Sequence, residues 1–359
     1  VDNMAKADSD PNPATSASAE QMRVSGAQSQ PYGLQLDRLQ QYRDRSVLVA
    51  GGDGFLGVNF AMALHAAGAK VTLLTRTETP RAGQFAVRNV CADLMDVNAV
   101  AAAVENQDFI FDLAGMSGAV GSNLDPVTST DKECRPHLTL FTAAATAASR
   151  PVLAFLSSRL VYGRPDYLPV GEEHPIRPAS FYAVHKVTLE HYLRVLATTR
   201  GLRYCAFRLS NPYGPYWPEQ RKTYGLINQL IARALNGEPI NIFGDGAQKR
   251  DYVHIDDVVT AVTTATAAAN CWGEIFNLGG DEVISIRHAA ETIAAEVPGT
   301  QVCFKPWPAA DLAVETGDYH TDMKKLRRFV QLPPQMTFQQ GLRRTLISVR
   351  HSPLASSSS

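Results

Sequence analysis

Apolar positions fall into two alternating kinds of segment along this chain. From residue 46 the run VLVAGG is short, β-branched and closed by glycines; FLGVNFAMALHAAG follows with helical apolar spacing, and KVTLLTR is a second short run. This pattern predicts a strand, a helix and a strand. Further short runs at 85–90, 109–113 (FIFDL), 152–156 (VLAFL) and 204–209 (YCAFRL) predict more strands, with longer helical patterns between them. Strands that alternate with helices need right-handed crossovers, which leave both faces of the sheet covered. The expected fold class is therefore α/β, a doubly wound parallel sheet occupying residues 41–210.

Beyond residue 211 the pattern is less regular: a loop rich in Pro, Tyr and Trp (NPYGPYWPEQRKTYG), a helix (GLINQLIARALNGE) and the segment PINIFGDG. These predict a smaller C-terminal lobe over 211–345, with HIDDV and EIFNLGG returning to the main sheet. Open α/β sheets bind ligands beyond the carboxyl ends of their strands, so a substrate cleft is expected between the two parts. Residues 1–40 are rich in Ala, Ser, Gln, Pro and Asp, a composition expected to leave a disordered arm; 346–359 reads as a disordered tail.

Composition narrows the function classes. With 359 residues, 45% apolar and 19% charged, the chain can bury a large core. Lys plus Arg number 34 against 35 Asp plus Glu, a formal net charge of -1, so no global field draws in nucleic acid or an anionic membrane. Neither is an expected partner, and any bound anion must be held by local groups. Five scattered cysteines without a CxxC pair indicate neither a disulfide framework nor a zinc site, and the nine histidines show no ligand spacing. No metal is expected, and a reducing cytoplasm fits best. No apolar stretch approaches the roughly 18 residues that cross a bilayer.

Three features carry candidate chemistry. Gly51, Gly54 and Gly57 form GGDGFLG between the first strand and its helix, with Phe55 and Leu56 opening that helix. The first glycine turns the chain, the second admits a pyrophosphate and the third allows close packing, so phosphates face the unpaired N–H groups of the helix start. Next, Thr75-Arg76-Thr77-Glu78 stands where an acidic residue usually receives the adenosine ribose hydroxyls. Arg76 there points to a 2′-phosphate and NADP, while Glu78 leaves NAD open. Asp93 and Leu94 in ADLMD are placed to border the adenine, and Ala114 and Gly115 are small enough to let the cofactor pass. Finally, Tyr182 and Lys186 lie four apart on a predicted helix and share a face, with Ser158 at the end of an earlier strand. A phenol ordinarily titrates near about 10, and an adjacent ammonium favours its phenolate, making Tyr182 a usable general base.

In order and spacing, GGDGFLG, ADLMD, SSRLVYG, YAVHK, RLSNPYGP, IFGDGAQKRDYVHIDDV and IFNLGG resemble the extended short-chain dehydrogenases/reductases, in particular the NAD-dependent epimerase/dehydratase group that remodels nucleotide sugars. The resemblance spans about residues 46–345 and implies a Rossmann fold, bound NAD or NADP, and a nucleotide-diphosphate sugar as substrate. It also implies that Ser158, Tyr182 and Lys186 form the catalytic triad, Lys186 also holding the nicotinamide ribose, and that Asn211 touches the sugar nucleotide. Arg250 in QKRDY is implied as the diphosphate clamp; a guanidinium can engage two oxygens at once, though a structural ion pair with Asp251 or Asp256 would use the same charge. Phe243 can pack on the base or simply belong to the core.

Dehydratases of the group place an Asp-Glu pair directly after the hydroxyl residue, and its decarboxylases a glutamate there, where this chain has Arg159 and Leu160. That disfavours both reactions and leaves hydride chemistry. The motifs favour a 4-epimerase, and Arg76 leans toward an NADPH-dependent 4-ketoreductase; a non-enzymatic dinucleotide-binding protein is a third reading. The Ala-rich segments LFTAAATAAS and VTTATAAA let helices approach closely, and the resemblance implies a homodimer.

Overall fold

The β-branched runs fold into the strands of one central sheet. The computed structural model describes residues 36–78, 88–115, 118–216 and 225–350. Strands β1 (Ser46–Ala50), β2 (Lys70–Thr75), β3 (Arg88–Cys91), β4 (Phe109–Asp112), β5 (Val152–Ser158) and β6 (Arg203–Leu209) lie parallel in the spatial order 6-5-4-1-2-3. The start of the predicted run at 85–90 lies outside the described residues. The first strands of the lobe are β7 (Asn211–Tyr213), β8 (Ile240–Phe243) and β9 (Lys249–His254). The chain then returns to the main sheet with β10 (Glu274–Leu278), which pairs parallel to β6 as its seventh strand. EIFNLGG thus forms a strand there, but HIDDV does not: its His254 ends β9 and caps a helix that starts at Ile255.

The helices are α1 (Phe55–Ala66), α2 (Val97–Val104), α3 (Ala119–Leu124), α4 (Pro126–Thr146), α5 (Phe181–Arg200), α6 (Leu226–Leu235), α7 (Ile255–Ala267), α8 (Ile286–Glu296), α9 (Ala309–Leu312), α10 (Lys324–Phe329) and α11 (Phe338–Arg350). On one face of the sheet α2, α4 and α5 bury Val100, Phe141, Leu189 and Leu193 against Leu48, Ile110 and Leu153. On the other face, α1 and α7 pack together. The VTTATAAA segment lies in α7, where Val262, Thr263, Ala265 and Thr266 are fully buried within the chain, so its small residues serve intrachain packing. Among the described residues no helix is long and apolar enough to cross a membrane.

Two boundaries differ from the compositional reading. Residues 36–40 belong to a 3-10 helix, Leu36–Tyr42, that inserts Leu39 and Tyr42 into the core, with the Tyr42 hydroxyl donating to the Thr263 carbonyl at 2.8 Å. At the other end α11 continues to Arg350, because Phe338, Leu342 and Leu346 complete the lobe's core with Tyr213, Ile231, Tyr252 and Ile293. Arg344 on α11 also pairs with Asp256 on α7 at 2.6 Å. The lobe's strands form two small sheets: β11 (Val283–Ser285) runs antiparallel to β9, which also pairs with β7, and β12 (Val302–Lys305) pairs parallel to β8.

A buried ion pair fixes α5 to the sheet. Arg208 of β6 donates to both carboxylate oxygens of Glu190, at 3.0 and 2.8 Å, and the Ser157 hydroxyl of β5 donates to the same carboxylate at 2.6 Å. Arg208 also reaches the Tyr162 hydroxyl, which donates to Asn277 of β10. Breaking a buried pair leaves a charge unpaired, so Glu190→Ala is expected to lower unfolding free energy by about 3–5 kcal/mol in urea titrations, and a loss under about 1 kcal/mol would contradict this account. Near the lobe, burial and then the Asp256 and Asp281 charges push the Asp257 carboxyl from 3.8 up to about 7. Between those values the folded chain keeps a proton that the unfolded chain releases, so stability falls as pH rises through that window. Asp257→Asn should remove about 2 kcal/mol of that decline, read from denaturation at pH 5 and pH 8.

Candidate active site

Gly51 leaves β1 with φ +75°, and a Cβ there would stand 2.7 Å from the Ala114 Cα, so β1 and the end of β4 approach only because this residue is glycine. Gly54 is the N-cap of α1 and offers no side chain to its first-turn amides. A Cβ on Gly57 would overlap the Gly51 carbonyl oxygen, so the helix start sits directly on the turn. Gly57 therefore lies beneath the site, while Gly51, Gly54, Phe55 and Leu56 border an open cleft of about 640 Å³. Uncapped amides at the positive end of a helix, facing a cleft with no Cβ in the way, fit a dinucleotide pyrophosphate.

The cleft follows the carboxyl ends of the strands at the point where the chain crosses from β1 to the other half of the sheet, where doubly wound folds bind ligands. Arg76 after β2, Asp93 and Leu94 after β3, and Ala114 and Gly115 after β4 all line it. Asp93 accepts the Met95 amide at 2.8 Å, which shapes its own turn. Farther along, Ser158, Tyr182, Lys186 and Asn211 line the same cleft. Phe243 does not: it packs on Trp307 with ring centroids 5.6 Å apart.

The start of α5 is fixed from several sides. The Ser180 hydroxyl caps it through the Ala183 amide, while Ser122 and Asn123 of α3 accept the Tyr182 and Phe181 amides at 3.0 Å each. One turn on, Lys186 is 4% exposed with its ammonium 5.6 Å from the Tyr182 ring centroid and 4.8 Å above Phe155. Burial alone would favour the neutral amine, but the Tyr182, Glu133 and Asp112 side chains outweigh it and raise the Lys186 pKa. Lys186 thus stays charged through the neutral range. Both Ser157 and Ser158 line the cleft, but the Ser157 hydroxyl is committed to Glu190, whereas the Ser158 hydroxyl accepts the Leu160 amide at 3.2 Å.

Two charged groups went unread in the sequence. Behind Gly115, Asp112 of β4 and His137 of α4 pair at 2.5 Å, and Glu133 lies one turn before His137, 3.9 Å from its ring. The clue was a carboxylate ending an apolar strand together with Glu and His at i, i+4. The second group is Arg159, which lines the cleft at 8% exposure, stacks 4.7 Å over the Tyr319 ring and donates to Thr316 at 3.0 Å. Burial, and then Arg250, bring its pKa down to about 10, so it remains charged at neutral pH. Arg250 itself is outside the lining. It pairs with Glu315 at 2.5 Å and donates to the Lys249 and Gly317 carbonyls, so its carboxylate partner is neither Asp251 nor Asp256.

Residues 47–279 match the sequence model of the NAD dependent epimerase/dehydratase family. The chain belongs to that family. A UDP-glucose 4-epimerase of Mycolicibacterium smegmatis is 30% identical over 308 residues, covering 83% of this chain and 96% of that protein. A dTDP-glucose 4,6-dehydratase of Xanthomonas campestris is 28% identical over 345 residues, covering 83% of this chain and 91% of its own length. Among solved structures, a Thermus thermophilus UDP-glucose 4-epimerase in complex with NAD has a TM-score of 0.74 and 27% identity, over 86% of this chain and 99% of that one. This member of the epimerase/dehydratase family is an NAD-dependent enzyme of the extended short-chain dehydrogenase/reductase type, a type that acts on nucleotide sugars. Gly57→Ala would push α1 off the turn and scatter its amides, so NAD affinity measured by calorimetry should fall by about tenfold or more. Binding equal to the wild type would show that the amide cluster is not the phosphate seat.

Proposed function

We propose that this chain is a nucleotide-sugar 4-epimerase in which Ser158, Tyr182 and Lys186 carry out the proton chemistry. The observation that carries this reading is the convergence of those three side chains on the cleft that also holds the uncapped start of α1. NAD, when bound, supplies the acceptor and donor for a reversible hydride transfer at the sugar's C4. Gly51, Gly54, Phe55 and Leu56 would hold its pyrophosphate, Asp93 and Leu94 its adenine, and Lys186 its nicotinamide ribose. Tyr182 removes the proton of the C4 hydroxyl as the carbinol is oxidised, and Ser158 hydrogen-bonds the same oxygen. The Lys186 ammonium stabilises the charge on the phenolate. The 4-keto sugar then turns over on its diphosphate tether, and Tyr182 returns the proton after reduction from the opposite face. Asn211 contacts the sugar nucleotide.

Arg159 and Leu160, which follow Ser158, support epimerisation over loss of water: leucine exchanges no proton, and Arg159 keeps its own at neutral pH. The second reading, a 4-ketoreductase using NADPH, is favoured by Arg76, an exposed cation at the end of β2 that suits a 2′-phosphate. Pairing of two copies through α4 and α5 is supported by their outer faces and the adjoining α3, where Leu124, Val127 and Val195 are 77%, 73% and 57% exposed.

Incubation with UDP-glucose should give UDP-galactose with no net change in reduced-nicotinamide absorbance. Loss of that absorbance with a dTDP-4-keto-6-deoxyhexose and NADPH, and no turnover of UDP-glucose, would replace the epimerase with the reductase. Tyr182→Phe should lower turnover by about 100-fold or more while NAD affinity is unchanged, and an active Tyr182→Phe enzyme would show that the base is elsewhere.

A further inference from the structure

Behind the cleft wall, three ionisable side chains have no part in the chemistry described so far. Asp112, Glu133 and His137 are 1%, 2% and 1% exposed, and none of them lines the cleft. Carboxylates are seldom buried so fully without a partner to meet them. The His137 Nδ1 pairs with Asp112 at 2.5 Å, which fixes the ring. Its Nε2 has no hydrogen-bond partner among the described residues and lies 3.9 Å from Glu133 Oε2. A Cβ on Gly115 would stand 3.2 Å from Glu133 Oε2 and 3.4 Å from His137 Nε2. Glycine at that point of the cleft wall therefore lets the carboxylate and the ring come up directly behind it.

The same cluster borders Lys186. The Phe155 ring is shared between them: the His137 ring meets it edge-on with centroids 5.7 Å apart, and the Lys186 ammonium is 4.8 Å from its centroid. Titratable groups reach Lys186 from three elements, namely Asp112 on β4, Glu133 and Cys134 on α4, and Tyr182 on α5, with His137 and His185 as their neighbours. Of the two carboxylates, Asp112 is already engaged by His137, and Glu133 bears more strongly on Lys186.

We infer that Glu133, braced by the Asp112–His137 pair, is a positioning residue for Lys186: from behind Gly115 it keeps the ammonium charged and so fixes the upper end of the pH range in which Tyr182 can act. This rests on the reading that Tyr182 and Lys186 are the acid–base pair. A buried amine tends to shed its proton, and a neutral amine cannot stabilise a phenolate; an opposite charge close by in a dry site reverses that tendency. Glu133 lies outside the cleft lining, so it acts through Lys186 and not on the substrate.

The test titrates Lys186 directly. Trace acetic anhydride is added to the purified enzyme from about pH 7 to 12, and acetylation of Lys186 is followed by peptide mass spectrometry, since only the neutral amine reacts. Glu133→Gln, of the same shape but uncharged, should move the labelling midpoint down by about one pH unit, and the alkaline limb of kcat should move down with it. Glu133→Asp keeps the charge one methylene farther off and should move both by about half as much. Asp112→Asn, which removes the carboxylate already engaged by His137, should move them less than Glu133→Gln does. A midpoint unmoved in Glu133→Gln, or a larger movement in Asp112→Asn, would overturn the inference. Melting temperature and NAD affinity near neutral pH separate a local change from misfolding. Should the glutamine variant not fold, the aspartate variant carries the same test, and an unmoved midpoint there is again fatal. A midpoint that moves as expected in an enzyme whose Tyr182→Phe variant stays active would refute the acid–base pair and leave the coupling of Glu133 to Lys186 in place.

Discussion

One carboxylate, Glu190, ties α5 to the sheet. It takes a forked bond from Arg208 and a third from Ser157, so β5, β6 and α5 meet at a single buried anion. A helix packed only by Leu189 and Leu193 could rotate or slide on the sheet at small cost, since apolar contact is not directional. Three directed hydrogen bonds remove that freedom. The register they impose brings Tyr182 and Lys186, two and one turns earlier, to the strand ends, and commits Ser157 so that the neighbouring Ser158 is the hydroxyl left at the cleft.

The same economy governs the remaining buried charges. Lys186, Arg159, Arg208 and Arg250 are all under 9% exposed, and each would be unaffordable in an apolar interior alone. Arg208 and Arg250 each pair with a carboxylate, Glu190 and Glu315. Lys186 faces a diffuse set, Tyr182, Glu133 and Asp112, that raises its pKa without capturing the ammonium in a single bond. A cation held this way keeps its charge and its capacity for new partners, which suits a group at the edge of a reaction.

How much of this was legible depended on the range of the interaction. The strand, glycine turn and helix of 46–66 are local: β-branching, three glycines and helical spacing each point to the same structure, and the fold agrees. The face shared by Tyr182 and Lys186 follows from helical geometry alone. What the sequence concealed was pairing across long separations. Nothing near QKRDY announces that Glu315, 65 residues on, takes the Arg250 charge, and an Arg-Leu step after Ser158 gives no hint that the guanidinium stacks on Tyr319. HIDDV misled for a different reason. The His254 side chain accepts the Asp256 amide and starts a helix there, with Ile255 and Val258 three apart on its buried side.

The lobe is stitched together from distant parts of the chain. Tyr213 opens its core and Phe338 to Leu346 of α11 closes it, with the Tyr213 hydroxyl donating to the Phe338 carbonyl and Arg344 reaching across to Asp256. During synthesis the first six strands of the sheet can pair as they leave the ribosome, but the core of the lobe is complete only once α11 has been made, more than 120 residues after Tyr213. Until α11 emerges, Tyr213, Ile231, Tyr252 and Ile293 lack the apolar cover that Phe338, Leu342 and Leu346 bring, so that side of the nascent lobe stays open to water.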